Sequence, residues 1–313
     1  NLKPMGLQMK EIIWKYLVRS VLRGDNVMMT GHSGTGKTIA AKAVQSIFNR
    51  PTFDFNMGAT QDPRTALMGI TQFKKDTGTY FNKSYFIEAI STPNAIILLD
   101  ELSRADPEAW NILMVVIDPL QKYLRLDEQE GTPLINVAPG VTFISTANIG
   151  AEYTSTRTFD KAFFERWTTV EMPVLDKLEE LTLLKYLFPS VNYKILDSIA
   201  EFACGTREEI NTEQPHISHF VSTRQSVKMS SLIFDGFSME EAAEVIIYPL
   251  YSTDGGNTSE RVYIKQMLQE YIPPIDTPNS IYYNSEDAET NTKEEETELF
   301  TESEKTQIVE HWR

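Results

Sequence analysis

Eight residues, Gly31-His32-Ser33-Gly34-Thr35-Gly36-Lys37-Thr38, constrain this chain more than any others. They fit the pattern G-x-x-x-x-G-K-[ST]. The apolar run Val27-Met28-Met29 leads in, and the helix-forming run Ile39-Ala40-Ala41-Lys42-Ala43-Val44 leads out. A strand, a Gly-rich turn and a helix in that order ring an anion with backbone N–H groups and a helix N-terminus. Glycines let the backbone close on a phosphate without a Cβ in the way. Lys37 adds a point charge at the β- and γ-phosphates, and the Thr38 hydroxyl can ligate Mg²⁺. Residues 31–39, ending on Ile39, are therefore the predicted nucleotide-phosphate cradle.

Two further strand ends carry chemistry. The run Ala95-Ile96-Ile97-Leu98-Leu99 is wholly apolar, as a strand buried on both faces of a parallel sheet reads, and Asp100-Glu101 follows directly. An acid at that tip can hold the Mg²⁺ bound by Thr38, so Thr38 and Asp100 are the predicted metal ligands. Glu101 is placed to orient or deprotonate an attacking water. Asn148 ends the next apolar strand, where its amide can bridge the γ-phosphate and that water, although an Asn after a strand is also a common turn residue.

Between these points strands alternate with helices. A first helix is predicted over 7–23, with Ile12, Ile13, Tyr16, Leu17 and Leu22 at near-helical spacing. Strands are predicted near 26–30, 52–56, 95–99, 141–145 and 168–172. The stretch 69–79 reads as a loop, 80–91 as a helix, and 121–138 as an inserted hairpin. Five strands with intervening helices make a βαβ sheet with its ligands at the C-terminal strand ends. From 176 to about 270 the pattern is helical. The expected domains are an α/β domain over 1–172, a helical domain over 173–272 and a tail over 273–313.

Charge and cysteine usage narrow the classes. The chain of 313 residues carries a net charge of −15, which argues against non-specific coating of duplex DNA. The tail holds 11 acidic residues against Lys293, Lys305 and Arg313, and reads as disordered or partner-docked. The single cysteine, Cys204, fits a small buried hydrophobe in a reducing cytoplasm. No apolar run reaches the roughly 20 residues of a membrane helix. The chain starts at Asn1 without an initiator Met or an apolar signal core, and upstream residues are expected. His216 and His219 are three apart, a metal-site spacing, but no Cys or acidic cluster accompanies them.

The phosphate loop, Leu99-Asp100-Glu101-Leu102-Ser103-Arg104-Ala105 and Ser145-Thr146-Ala147-Asn148 together resemble the AAA+ ATPases in order and spacing. Within that superfamily the likeness is to the MoxR and dynein-related branch, whose Walker B segment reads D-E-[IL]-[NS]-R-A and which carries a hairpin before the sensor-1 strand. The resemblance implies a parallel sheet of order 5-1-4-3-2, a C-terminal helical lid, and ATP with Mg²⁺ bound at a subunit interface of a hexameric ring. It implies that Lys37, Glu101 and Asn148 act in ATP hydrolysis together with Arg166, an arginine finger reaching the neighbouring subunit's γ-phosphate. Arg166 sits in Glu-Arg-Trp where many relatives have Asp-Arg-Phe, and Arg157 competes for the role. Arg224, in Ser222-Thr223-Arg224, resembles the sensor-2 arginine that touches the nucleotide from the lid. Relatives remodel a protein partner or help insert a metal ion, often with a von Willebrand-type partner. The implied function is a remodelling ATPase of this branch. A chelatase-type subunit, a DNA-acting AAA+ protein and a nucleotide-gated scaffold are the alternatives. Loops near 70–79 and 127–133 are the expected partner-facing surfaces.

Overall fold

The structure, a computed structural model, describes residues 3–4, 6–74, 78–127, 129, 131, 133–148 and 159–273. Arg157 and the tail beyond residue 273 lie outside them, as do parts of both expected partner-facing loops. The chain forms two compact units. One spans Lys10–Pro173, and the other joins Lys3–Met9 to the chain from Val174 onward.

In chain order the first unit contains α1 (Glu11–Arg23), β1 (Val27–Thr30), α2 (Lys37–Ile47), β2 (Thr52–Asn56) and α3 (Pro63–Leu67). There follow β3 (Gly69–Lys74), β4 (Gly78–Lys83), α4 (Tyr85–Ser91), β5 (Ile96–Asp100) and α5 (Pro107–Val116). The unit closes with β6 (Tyr123–Arg125), β7 (Leu134–Asn136), β8 (Thr142–Ala147), α6 (Lys161–Phe164) and β9 (Thr168–Glu171). The main sheet runs β2-β5-β8-β1-β9 and every pairing is parallel. Numbered among its own five strands, this is the expected order 5-1-4-3-2. β1 and β8 are buried along their whole length and β5 up to Asp100, as in a sheet covered on both faces. β5 reads as an unbroken apolar run, whereas β8 carries the buried hydroxyls of Thr142, Ser145 and Thr146. Phe86, Ile90, Leu102, Trp110, Leu113, Phe143 and Phe163 pack in the core.

Three local expectations change. Helix α1 starts at Glu11, after Lys10 adopts an extended conformation, and its buried stripe is Trp14, Leu17, Ser20 and Val21. Ile12, Tyr16 and Leu22, expected on the core face, are exposed. The predicted loop over 69–79 and the start of the predicted helix over 80–91 form instead an antiparallel hairpin, β3 with β4. Helix begins only at Tyr85, where the Ser84 hydroxyl caps the Ile87 N–H. Thr71, Gln72, Phe73, Thr79 and Tyr80 are all exposed, Phe73 at 76%, so neither face leaves the alternating pattern that identifies a half-buried strand. The insertion near 121–138 does contain a hairpin, β6 with β7.

The second unit is helical: α7 (Lys177–Leu187), α8 (Tyr193–Glu209), α9 (Thr223–Phe234), α10 (Met239–Ile246) and α11 (Glu260–Tyr271). Capping boxes start α7, α9 and α10 (Asp176/Glu179, Ser222/Gln225 and Ser238/Glu241). At its centre Glu180 of α7 pairs with Arg207 of α8, and both are sealed from solvent. Arg207 also donates to the Leu175 carbonyl at 2.6 Å and the Val221 carbonyl at 3.3 Å. Thr223 of α9 donates to Glu180 at 3.3 Å, so one buried charge pair ties three helices. Burial pushes the Glu180 carboxyl above its usual range while Arg207 pulls it back. Among the described residues no helix is long and apolar enough to cross a membrane.

Candidate nucleotide site

The loop after β1 is shaped by backbone that only glycine adopts freely. Gly31, Gly34 and Gly36 have φ of 144°, 80° and 82°. A Cβ on Gly31 would lie 2.3 Å from the Met172 carbonyl oxygen, so no larger residue fits between the loop and the end of β9. The Thr35 hydroxyl closes the turn onto the His32 carbonyl at 2.9 Å, and α2 begins at Lys37. Lys37 is buried, with Nζ donating to the Gly31 and His32 carbonyls at 2.9 and 2.6 Å. Its ammonium is thereby held over the loop.

Opposite the loop, sheet order does the positioning. β8 lies between β1 and β5, so its hydroxyl side chains fill the space between the loop and the tip of β5. Thr38 Oγ1 donates to both carboxylate oxygens of Asp100, at 3.1 and 3.3 Å. Thr146 of β8 donates a short hydrogen bond to Asp100 Oδ1 and accepts the Glu101 N–H at 3.0 Å. One buried hydroxyl therefore links the candidate metal ligand to the backbone of the candidate base. The sequence reading gave Thr146 no role. Its signal was a hydroxyl near the end of a fully buried strand, shared with Thr142 and Ser145 in the same strand.

The structure gathers Lys37, Thr38, Asp100, Glu101 and Asn148 around one set of strand ends. Asn148 is half-buried, and its N–H donates to the Ser103 hydroxyl at 3.1 Å. Glu101 has φ 55°, a left-handed conformation that costs a non-glycine residue energy and collects at functional sites. Arg104 Nη1 donates to Glu101 Oε2 at 3.2 Å. The oxygen-only pair of Thr38 hydroxyl and Asp100 carboxylate suits a hard cation such as Mg²⁺, and the glycine loop with Lys37 suits phosphate.

The two predicted arginines fall in different units. Arg166 follows α6 and pairs with Asp118 at 3.0 Å, its Nη1 also donating to the Ala162 carbonyl at 2.5 Å. The Leu120 and Gln121 N–H groups, with Arg166 beyond them, hold the Asp118 carboxyl below its usual range. Arg224 is exposed at the first turn of α9, in the helical unit. The two histidines there are taken up by ring contacts, His216 on Tyr263 and His219 on Tyr251, and His216 also pairs with Glu209 at 2.8 Å.

Parts of the chain resemble known proteins. Residues 26–166 match the family described as AAA domain (dynein-related subfamily). A protein of Thauera aromatica, BssE, described as a candidate chaperone, is 27% identical over 219 residues, covering 69% of this chain and 72% of its own. A mitochondrial Lon protease homologue of Schizosaccharomyces pombe is 24% identical over 237 residues, 71% of this chain but 20% of its own. A cryo-EM structure of Hsp104 with ATPγS and casein superposes with a TM-score of 0.45 at 16% identity, over 61% of this chain and 40% of that one. Residues 26–166 are thus similar to the AAA domains of the dynein-related subfamily, in a chain whose fold is a parallel α/β P-loop core followed by a helical region.

Proposed function

We propose that this chain hydrolyses ATP and that, as a ring of copies in the manner of MoxR-like proteins, it spends the energy on remodelling a protein partner. The observation that carries the reading is the connected set Thr38–Asp100–Thr146–Glu101 facing the phosphate loop. A loop that only bound phosphate would have no use for a carboxylate held between two hydroxyls beside it, with a second acid next in the chain. The candidate chaperone and the Lon relative support a protein as the partner.

Residues 31–39 bind the triphosphate, and Lys37 offsets charge that builds on the γ-phosphoryl oxygens in the transition state. Thr38 and Asp100 would hold Mg²⁺, which when bound neutralises charge between the β- and γ-phosphates. Glu101 accepts the proton of the water whose oxygen forms the new bond to the γ-phosphorus; the bond to the bridging oxygen breaks, and ADP and phosphate leave. Asn148 orients that water. Arg166, released from Asp118, supplies positive charge to the site of the neighbouring copy, and Arg224 contacts nucleotide from the helical unit.

The test is Glu101→Gln. It is expected to keep ATP affinity and lose on the order of 10²–10⁴ in turnover, the usual contribution of a general base. Phosphate release at the parental rate would overturn the hydrolytic assignment. Turnover stimulated by DNA rather than by protein would favour the DNA-acting alternative.

A further inference from the structure

Glu101 is held from two sides by residues that the hydrolytic reading leaves idle. Leu102–Arg104 form one turn of 3₁₀ helix, with the Arg104 N–H donating to the Glu101 carbonyl at 2.9 Å. In that geometry residues i and i+3 eclipse, so Arg104 stands directly over Glu101 and meets Oε2 at 3.2 Å. The turn itself cannot drift. Leu102 and Ser103 are buried, Trp110 Nε1 donates to the Leu102 carbonyl at 3.0 Å, and Ser103 receives the Asn148 N–H.

The second wall is Gly58, in the 3₁₀ turn Met57–Ala59 after β2. A Cβ there would lie 2.5 Å from Glu101 Oε2 and 3.3 Å from the Arg104 Cβ. Asn56 fixes this turn by accepting the Ala59 N–H at 3.1 Å, and Thr60 adds a bond to the Asn56 carbonyl at 3.1 Å. Glu101 Oε2 therefore occupies the space that a methyl group on residue 58 would need. Arg104 and Glu101 side chains are 45% and 37% exposed, so their ion pair alone contributes little to stability. Its effect is on direction: with Gly58 behind and a strained left-handed backbone below, one weak contact selects among few orientations.

We infer that Arg104 and Gly58 are positioning residues that clamp the Glu101 carboxylate in its working orientation. This rests on Glu101 being the base. Steady-state ATPase kinetics and fluorescent-nucleotide binding of Arg104→Ala, Arg104→Lys, Gly58→Ala and Glu101→Gln, each checked for an unchanged melting midpoint, test it. Arg104→Ala is expected to lower kcat about fivefold, the size an exposed pair can supply, with KM and nucleotide affinity unchanged. Arg104→Lys recovers most of that loss, and Gly58→Ala lowers kcat at least as much because its new methyl displaces the carboxylate. Parental kcat in both Arg104→Ala and Gly58→Ala, with Glu101→Gln inactive, overturns the clamp alone. Parental turnover in Glu101→Gln overturns the base and the clamp with it. A loss equal in Arg104→Lys and Arg104→Ala, or matched by a rise in KM, also overturns the clamp, since an orienting charge must be partly replaceable and act on kcat.

Discussion

Asp100 in the α/β unit is a half-buried carboxylate and Glu180 in the helical unit a fully buried one, and they are held in opposite ways. Asp100 is met by the hydroxyls of Thr38 and Thr146, neutral partners that can turn away when a cation or phosphate arrives. Glu180 is met by a guanidinium, and its side chain and that of Arg207 are only 0% and 8% exposed. Nothing can replace that partner without leaving a bare charge in an apolar interior. A site that exchanges ligands needs neutral, half-open partners, whereas a joint between helices is served by charges that stay paired. The difference separates function from framework in a chain with many acidic residues.

The largest expected effect is on the sealed pair. Arg207→Ala strands Glu180 and removes the donors to the Leu175 and Val221 carbonyls, and should cost about 3–5 kcal/mol, read as a lower urea midpoint of the full chain. Replacing both partners by methionine should recover most of that loss, because no charge is then left buried. If Arg207→Ala unfolds like the parent, the pair is no framework element and the contrast with Asp100 collapses.

Thr146→Val is the counterpart in the α/β unit. Valine matches threonine in shape and suits a strand but leaves the Glu101 N–H without its acceptor, so stability should fall only modestly, by about 1–3 kcal/mol. Turnover should fall about tenfold, the effect of losing one hydrogen bond to a charged group, with nucleotide affinity kept. A large loss of stability with normal turnover would make Thr146 framework and break the comparison from the other side.

Much of the α/β unit could be read from its residues because each strand end coincided with a change of chemistry. The apolar run 96–99 stops at Asp100, and the phosphate loop follows a buried strand, so the strands and the acids at the tips were legible, whereas strand order came with the family resemblance. Thr146 and Arg104 were not, since their roles depend on cross-strand register and on a 3₁₀ turn that brings residue 104 over residue 101. The hairpin at 69–83 left no pattern because, Phe81 apart, its side chains pack little against the core. In α1 the apolar residues outnumber the buried ones, and periodicity alone chose Ile12, Tyr16 and Leu22 over Trp14 and Val21.

The smallest effect is on pH dependence, and it separates two carboxylates that each meet an arginine, one near the surface and one sealed. Asp118, held by two backbone N–H groups and Arg166, titrates below the usual aspartate range. Its contribution to stability is therefore present above the unfolded value of about 4 and is lost as pH falls through the folded value. Glu180 has the opposite sign. Its raised folded value makes its contribution greatest at low pH and lost as pH rises through that value. Urea midpoints between about pH 3 and pH 7 should show Asp118→Asn flattening the acid side of the parent's profile and leaving the upper side alone. Glu180→Gln should flatten the upper side. An Asp118→Asn profile parallel to the parent's at every pH would mean that Asp118 keeps the same proton affinity folded and unfolded, and that its hold on Arg166 is weaker than the geometry indicates.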